Sequence, residues 1–222
     1  MIKPLLLIII FYLSSNLFGQ NIYNHVPSKV DTSKKYLFYL HGRIIEEYGV
    51  RPESKKYGIY EYEKILNSLA ETGFEVISEP RPKNTDIFNY SQKVAAQIDS
   101  LLASGVPPGN ITVIGASKGA GIAVLVSNTL KNDKIKYVIM AICNRHMAKF
   151  WKDNKIKLWG KVLYIYDIND EIAGSCKGYL DILRSDGLKE YKEIEVKLGL
   201  GHGILYSPFK EWVTPALEWA NQ

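Results

Sequence analysis

Ser117 stands in a sequence pattern that could turn a serine hydroxyl into a nucleophile. It is the centre of Gly-Ala-Ser-Lys-Gly, residues 115–119, which follows a β-branched apolar run and precedes a helix-length segment of small residues. This order predicts a strand, a sharp turn and a helix, with the serine at the turn. The glycines allow close backbone approach, and the first N–H groups of the helix would face a developing oxyanion. Such turns also bind phosphates, but the G-x-x-x-x-G-K-S/T spacing of a phosphate loop is missing.

His202 is the histidine whose position best suits a general base. A serine hydroxyl needs a base that titrates near pH 7, and histidine supplies one. His202 lies among glycines, in Gly-Leu-Gly-His-Gly, after the last predicted strand. The other three histidines fit less well, since His25 lies in a polar lead-in, His41 in an earlier loop, and His146 at the start of a connector. We therefore predict His202 as the base that activates Ser117.

A carboxylate is expected to orient the imidazole and to stabilise its protonated form. The loop after the strand 161–166 offers three of them. Asp167 follows the strand directly and could brace the loop, whereas Asp170 lies three residues further out and could reach the histidine. We predict Asp170 as the acid, with Asp167 and Glu171 as alternatives.

The rest of the chain supplies alternating strands and helices that would position these loops. Apolar runs predict strands at 36–40, 74–78, 111–114, 136–142, 161–166 and 190–198, the last at an edge. Helical spacing and stop signals predict helices at 60–72 and 89–104, after Ser117, and at 176–183 and 208–220. Between them we expect a polar lead-in (21–35), a long loop (44–59) and a connector (143–160). This alternation predicts an α/β fold with a mainly parallel sheet, whose active residues gather at the carboxyl ends of the strands.

Taken together, these motifs resemble the α/β-hydrolase superfamily. Ser117, Asp170 and His202 occur in the order of that family, and His-Gly-Arg, residues 41–43, follows an earlier strand. The resemblance covers the chain from Tyr36 to its end. It implies an α/β-hydrolase fold in which Ser117 is the nucleophile, Asp170 the acid and His202 the base. In the acid loop, Tyr-Asp stands where the common family form begins the turn with His-Gly, so the choice between the two aspartates stays open.

The resemblance also implies an oxyanion hole and an open site. The backbone N–H groups of Arg43 and Lys118 would form the hole. Many members insert a lid domain in the interval that corresponds here to 143–160, which is only 18 residues long. We therefore expect no large lid domain.

Four residues near these loops are candidates for substrate binding: His41, Gly42, Arg145 and Trp151. The charged residues of the loop after residues 41–43 and of the connector would suit a polar or charged substrate. Surface charges of this kind also pair with each other.

The N-terminus has the three parts of a secretory signal peptide. Lys3 precedes an apolar run, 4–13, that is followed by more polar residues and by a cleavage site predicted near Gly19. The run is too short to span a bilayer comfortably. We expect a signal peptide at 1–19, a single domain at 20–222, and a secreted or periplasmic protein without an integral membrane segment. In an oxidising compartment the only two cysteines, Cys143 and Cys176, could form a disulfide.

The function expected from these features is that of a secreted serine hydrolase, most simply an esterase on small or medium acyl groups. A peptidase, a thioesterase and an acyltransferase share the same chemistry. A non-catalytic binding protein on the same scaffold is the alternative from another class. Histidines and cysteines show no metal-ligand spacing, so no metal or cofactor is expected. The net charge of +5 is spread over the chain without a basic cluster, which argues against nucleic acid as a partner.

Overall fold

The computed structural model describes residues 21–222, so the predicted signal peptide at 1–19 lies outside the described residues. The strands are β1 (Ile22–Tyr23), β2 (Tyr36–Leu40), β3 (Glu53–Ser54), β4 (Gly58–Ile59), β5 (Glu75–Ile77), β6 (Ile111–Ala116), β7 (Lys136–Met140), β8 (Gly160–Asp167) and β9 (Leu188–Val196). The helices are α1 (Arg43–Tyr48), α2 (Tyr62–Ala70), α3 (Ile87–Ala103), α4 (Lys118–Leu130), α5 (Arg145–Asp153), α6 (Leu180–Leu183) and α7 (Lys210–Asn221).

Within the part of the chain that the structure describes, seven strands form the central sheet in the order β1-β5-β2-β6-β7-β8-β9. Every neighbouring pair in this sheet is parallel. All five residues of β2 and of β7 are buried, because strands covered on both faces need apolar side chains in both directions. The prediction of an α/β fold with a mainly parallel sheet is confirmed, and β9 lies at the edge as expected.

Two apolar cores lie on opposite faces of the sheet. Alternate side chains of β2 point to opposite faces, so Tyr36 and Phe38 belong to one core and Leu37 and Tyr39 to the other. The first core includes buried residues of α3, α4 and α5, and the second includes those of α2 and α7. The fold is therefore a three-layer arrangement of helices, sheet and helices.

Three segments differ from the prediction. The lead-in contains β1, whose two residues pair with β5. The segment expected to be one long loop, 44–59, contains most of α1 and the β3–β4 hairpin. The connector 143–160 contains α5, which Asn144 caps by accepting a hydrogen bond from the N–H of Met147 at 2.9 Å. The strands β1, β3 and β4 have two residues each and α1 has six, which is too short for a hydrophobic period to reveal them.

Gly119 lets two segments of the site meet. A Cβ placed on Gly119 would lie 1.8 Å from the carbonyl oxygen of Leu40 and 2.7 Å from that of His41. Only glycine fits there, so the first turn of α4 packs directly on the backbone at the end of β2. The loops after β2 and β6 are thereby held together at the carboxyl edge of the sheet. Within residues 21–222 the structure has no helix of the length and apolarity needed to cross a membrane.

Candidate active site

Ser117 occupies the turn between β6 and α4 in a strained backbone conformation. Its φ is 52° and its ψ −116°, a region that residues with a Cβ rarely adopt. Backbone hydrogen bonds join the turn to β7 and to α4, since the N–H of Ser117 donates to the carbonyl of Met140 at 3.0 Å and its carbonyl accepts from the N–H of Ala120 at 2.8 Å. The strain holds the hydroxyl out of the sheet edge, at the N-terminus of α4.

His202 lies within hydrogen-bonding reach of Ser117. Its Nε2 is 2.9 Å from the Oγ of Ser117 and its Nδ1 is 2.7 Å from the Oδ2 of Asp170. An ionised carboxylate can only accept a hydrogen bond, so Nδ1 carries the proton and Nε2 is left to accept from the hydroxyl. This is the tautomer that a general base requires.

The histidine is held by a short 3₁₀ turn, Gly201–Leu205, that packs on the acid loop. Gly201 has φ +55°, and a Cβ there would lie 2.9 Å from the carbonyl oxygen of Asn169. A side chain at position 201 would therefore push the two loops apart, so glycine is needed at this position.

The structure places Asp170, and neither of its two alternatives, beside the imidazole. The Oδ1 of Asp170 accepts from the N–H groups of Ile172 at 2.8 Å and Ala173 at 3.2 Å, which leaves Oδ2 for His202. Asp167 is buried and braces two loops, accepting from Asn169 at 2.8 Å and Leu198 at 3.0 Å. Glu171 is exposed and pairs with Lys56 at 2.6 Å.

Two backbone N–H groups are free beside the hydroxyl of Ser117. Arg43 and Lys118 are the first residues of α1 and α4, where an N–H has no partner inside its helix. Neither N–H donates a hydrogen bond to any other residue within 21–222. Gly42 is close to the serine, because a Cβ built on it would lie 3.8 Å from the Cβ of Ser117. Within the described residues, both N–H groups are therefore unengaged at helix starts close to Ser117.

A groove of about 420 Å³ opens on Ser117 and His202. Its walls are mainly apolar and aromatic, with one cation and one carboxylate at the rim. The lining residues are Gly42, Arg43, Ile44, Glu47, Tyr48, Tyr57, Tyr60, Ser117, Ile172, His202, Leu205 and Tyr206. Four of these are tyrosines, which the sequence analysis did not single out. Tyr57 and Tyr60 lie in or beside the hairpin that was expected to be loop, so no pattern pointed to them.

No protein-family model matches the chain, and no curated protein matches its sequence. Solved structures do resemble it. SOBER1 from Arabidopsis thaliana aligns with 83% of this chain and 99% of its own, at 14% identity and a TM-score of 0.52. A truncated carbohydrate esterase from gut microbiota aligns with 88% of this chain and 89% of its own, at 14% identity and a TM-score of 0.53. A protein classed as a hydrolase of the alpha/beta superfamily, from Xanthomonas campestris pv. campestris, aligns with 85% of this chain and 97% of its own, at 12% identity and a TM-score of 0.51.

The chain has the α/β-hydrolase fold. The resemblance predicted from the motifs is thereby confirmed at the level of the fold. In this α/β-hydrolase fold the interval between β7 and β8 holds a single helix, α5, and no large lid domain.

Of the four residues predicted to bind substrate, only Gly42 lines the groove. The Trp151 side chain is fully buried in the core beside the disulfide, because α5 turns its apolar face to the sheet. Arg145 is exposed at the start of α5 and does not reach the groove. His41 is buried and also lies away from it. Aromatic and charged residues in a connector were poor guides because their direction depends on a helix that the sequence did not reveal.

His41 supports the loop that follows β2. Its Nδ1 lies 2.8 Å from the carbonyl oxygen of Gly42, and its Nε2 accepts from the N–H of Arg81 at 2.8 Å. Both ring nitrogens are thus satisfied in the neutral form, with the proton on Nδ1. Burial and, second, the Arg81 guanidinium lower the pKa of His41 from 6.5 to about 3.

Acidification is expected to destabilise the protein through His41. The folded protein binds fewer protons than the unfolded chain between pH 6.5 and about 3, so stability falls as the pH drops through that window. At pH 5 the expected loss from this one group is about 2 kcal/mol. Urea unfolding at pH 7.5 and pH 5 should show a loss larger by that amount in the wild type than in His41→Gln, which cannot titrate. Equal losses in the two proteins would contradict this role.

A disulfide joins Cys143, just after β7, to Cys176, at the end of the acid loop, with the two Cα atoms 5.2 Å apart. The hydroxyl of Tyr164 reinforces the same connection. It accepts from the N–H of Cys143 at 3.0 Å and donates to the carbonyl of Gly174 at 2.9 Å. The C-terminal end of the loop that carries Asp170 is therefore linked to the residues that follow β7.

Proposed function

We propose that this protein is a serine hydrolase that cleaves carboxylic esters of small or medium size through an acyl-enzyme intermediate. One observation carries the proposal. The hydroxyl of Ser117, the imidazole of His202 and the carboxylate of Asp170 form a continuous hydrogen-bonded chain, with links of 2.9 and 2.7 Å. That chain lies beside two unengaged N–H groups and opens on a groove.

In the proposed reaction, Ser117 attacks the ester carbonyl while His202 takes the hydroxyl proton at Nε2. The carbonyl oxygen becomes an anion, which the N–H groups of Arg43 and Lys118 stabilise. When the carbon–oxygen bond to the alcohol breaks, His202 returns the proton to the leaving alcohol. Water then attacks the acyl-serine by the same path, which releases the carboxylic acid and restores the hydroxyl. Asp170 holds the imidazole tautomer and stabilises its cation throughout.

The size and lining of the groove favour an ester substrate with an apolar or ring-shaped group. Its volume of about 420 Å³ lies within the range of small-molecule sites, and tyrosines form much of its wall. Tyr57 and Tyr206 contact each other with ring centroids 5.4 Å apart, next to the His202 turn. Aromatic side chains of this kind offer broad, rigid contact surface for planar acyl groups and for the apolar faces of sugars. The carbohydrate esterase among the similar structures agrees with an ester substrate.

Secretion is part of the same proposal. The first 19 residues have the composition of a signal peptide, and a disulfide is stable in an oxidising compartment. N-terminal sequencing of the exported protein tests this, and a mature chain that retains residues 1–19 would contradict it.

Labelling with a fluorophosphonate probe tests the proposal. We expect one probe per folded molecule, attached to the peptide that contains Ser117, because only an activated serine reacts at an appreciable rate. Ser117→Ala should abolish labelling, whereas Ser104→Ala, at an exposed serine remote from the site, should leave it unchanged. Turnover of p-nitrophenyl esters from acetate to decanoate, beside an amide and a thioester of the same acyl group, defines the substrate class. A folded wild-type protein that is neither labelled nor active would point to a non-catalytic binding protein.

A further inference from the structure

We infer that Glu46 is a positioning residue for the oxyanion site: its buried carboxylate ties the residue after the nucleophile to the helix that begins at Arg43. The inference rests on the proposed function and adds to it a device that sets the spacing of the two N–H donors.

Glu46 lies one turn after Arg43 in α1, and its side chain is fully buried. Both of its oxygens are engaged by cations. The Oε1 accepts from the Nε of Arg81 at 2.7 Å, and the Oε2 accepts from the Nζ of Lys118. One carboxylate therefore joins α1 to two other segments of the site.

Two acceptors hold the side chain of Lys118. Its backbone N–H is one of the two proposed oxyanion donors, and its side chain donates to Glu46 and, at 2.8 Å, to the carbonyl of Thr85. The Lys118 side chain is 18% exposed, so this ion pair is largely shielded from solvent. A shift of the first turn of α4 relative to α1 would break the pair.

Arg81 fixes the backbone on the other side. Its own N–H donates to the ring of His41 at 2.8 Å, and its guanidinium donates to the carbonyl of His41 and to Glu46. His41 directly precedes Gly42, the residue before α1, which begins at Arg43. The Glu46 carboxylate thus lies between Arg81, which binds the backbone at His41, and Lys118, which begins α4.

The network is poorly explained by stability alone. Burying a carboxylate and a guanidinium costs desolvation energy, and apolar residues of similar volume are often at least as stabilising. In contrast, a carboxylate between two cations fixes direction as well as distance, because each oxygen has one partner. That property matters where two N–H groups must point at one developing charge.

A charge effect without positioning makes a different prediction. Together, the three side chains carry one net positive charge, which could stabilise an oxyanion directly. Lys118→Met removes both the tie and this charge, whereas Glu46→Gln removes the tie and leaves both cations. Positioning requires both variants to be impaired, and a pure charge effect requires only Lys118→Met to be impaired.

The test compares steady-state hydrolysis of p-nitrophenyl butyrate and fluorophosphonate labelling in purified, folded variants. We expect Glu46→Gln and Lys118→Met each to lower kcat by about 10- to 100-fold with KM changed less than about 3-fold, because displaced donors weaken binding of the transition state only. The double variant should lose no more kcat than the more impaired of the two single variants. Lys118→Arg, which keeps the pair with Glu46, should recover most of the rate. Lys149→Met, which breaks an exposed ion pair on α5, is the matched control.

Three results would overturn the inference: unchanged kcat in both variants, a loss confined to Lys118→Met, or additive losses in the double variant. Where Glu46→Gln does not fold, Glu46→Asp carries the test, because it keeps the negative charge but shortens the side chain, so that only positioning predicts a loss of kcat. A wild-type protein without labelling or turnover would remove the proposed function itself. A labelled, active wild type with unimpaired variants would remove only the positioning role.

Discussion

Replacing His202 by alanine is expected to lower kcat for an activated ester on the order of 10⁶-fold, close to the loss expected for Ser117→Ala, since members of such a unit act together. The Nε2 of His202 is 2.9 Å from the Oγ of Ser117, and none of the other described histidines forms a hydrogen bond with that hydroxyl. Without the imidazole the hydroxyl loses its proton acceptor and the leaving alcohol loses its proton donor. KM should change little, because the imidazole contributes to the transition state more than to substrate binding.

The measurement is steady-state hydrolysis of p-nitrophenyl acetate, with circular dichroism to show that the variant folds. His146→Ala provides the control, because His146 is an exposed histidine on α5. It should keep the wild-type rate. A folded His202→Ala variant that retains a tenth of the wild-type kcat would show that another base serves Ser117.

Asp170→Asn is expected to lower kcat on the order of 10⁴-fold with the fold intact. The amide oxygen can still accept from the N–H of Ile172, which places the amide NH₂ against the Nδ1 of His202. Nδ1 must then accept, so the proton moves to Nε2 and the imidazole can no longer take the proton of Ser117. The loss comes from the wrong tautomer, and KM should again change little.

Asp167→Asn is the informative comparison, because Asp167 was an alternative candidate for the acid. Its two oxygens accept from the N–H groups of Asn169 and Leu198, and an amide would present a donor to one of them. We expect a clear loss of stability in urea unfolding and a loss of kcat of less than about 10-fold for the protein that folds. A larger loss of kcat in Asp167→Asn than in Asp170→Asn would reverse the assignment of the two aspartates.

The local pattern around Ser117 carried most of the predictive information. A strand, a turn with small flanking residues and a helix are encoded within residues 111–127, and the φ of 52° at Ser117 follows from that turn. The alternation of elements then placed the loops of His202 and Asp170 at the same edge of the sheet. The spacing of Asp170 from β8 favoured it over Asp167, but the oxygen that faces each N–H group is determined only by the folded loops.

The residues that line the groove could not be predicted from the sequence for a similar reason. Tyr57 and Tyr206 come from segments distant in sequence, and each reaches the groove through a turn too short to show a period. Trp151, in contrast, was wrongly predicted to bind substrate. Its position near the expected site suggested a role in binding, but the helix that carries it turns the ring into the core. Residue type identified the reactive groups, whereas the direction of each side chain came from the assembled backbone.

Because a disulfide joins Cys143 and Cys176, the geometry of the acid loop depends on whether these two thiols have been oxidised. Folding brings the two sulfurs together and so favours their oxidation, and oxidation in turn favours the conformations in which Asp170 meets His202. Closing a loop of this length removes about 3 to 4 kcal/mol of chain entropy from the unfolded protein. In protein synthesised where glutathione keeps thiols reduced, the loop that carries Asp170 would lack this covalent link to the end of β7.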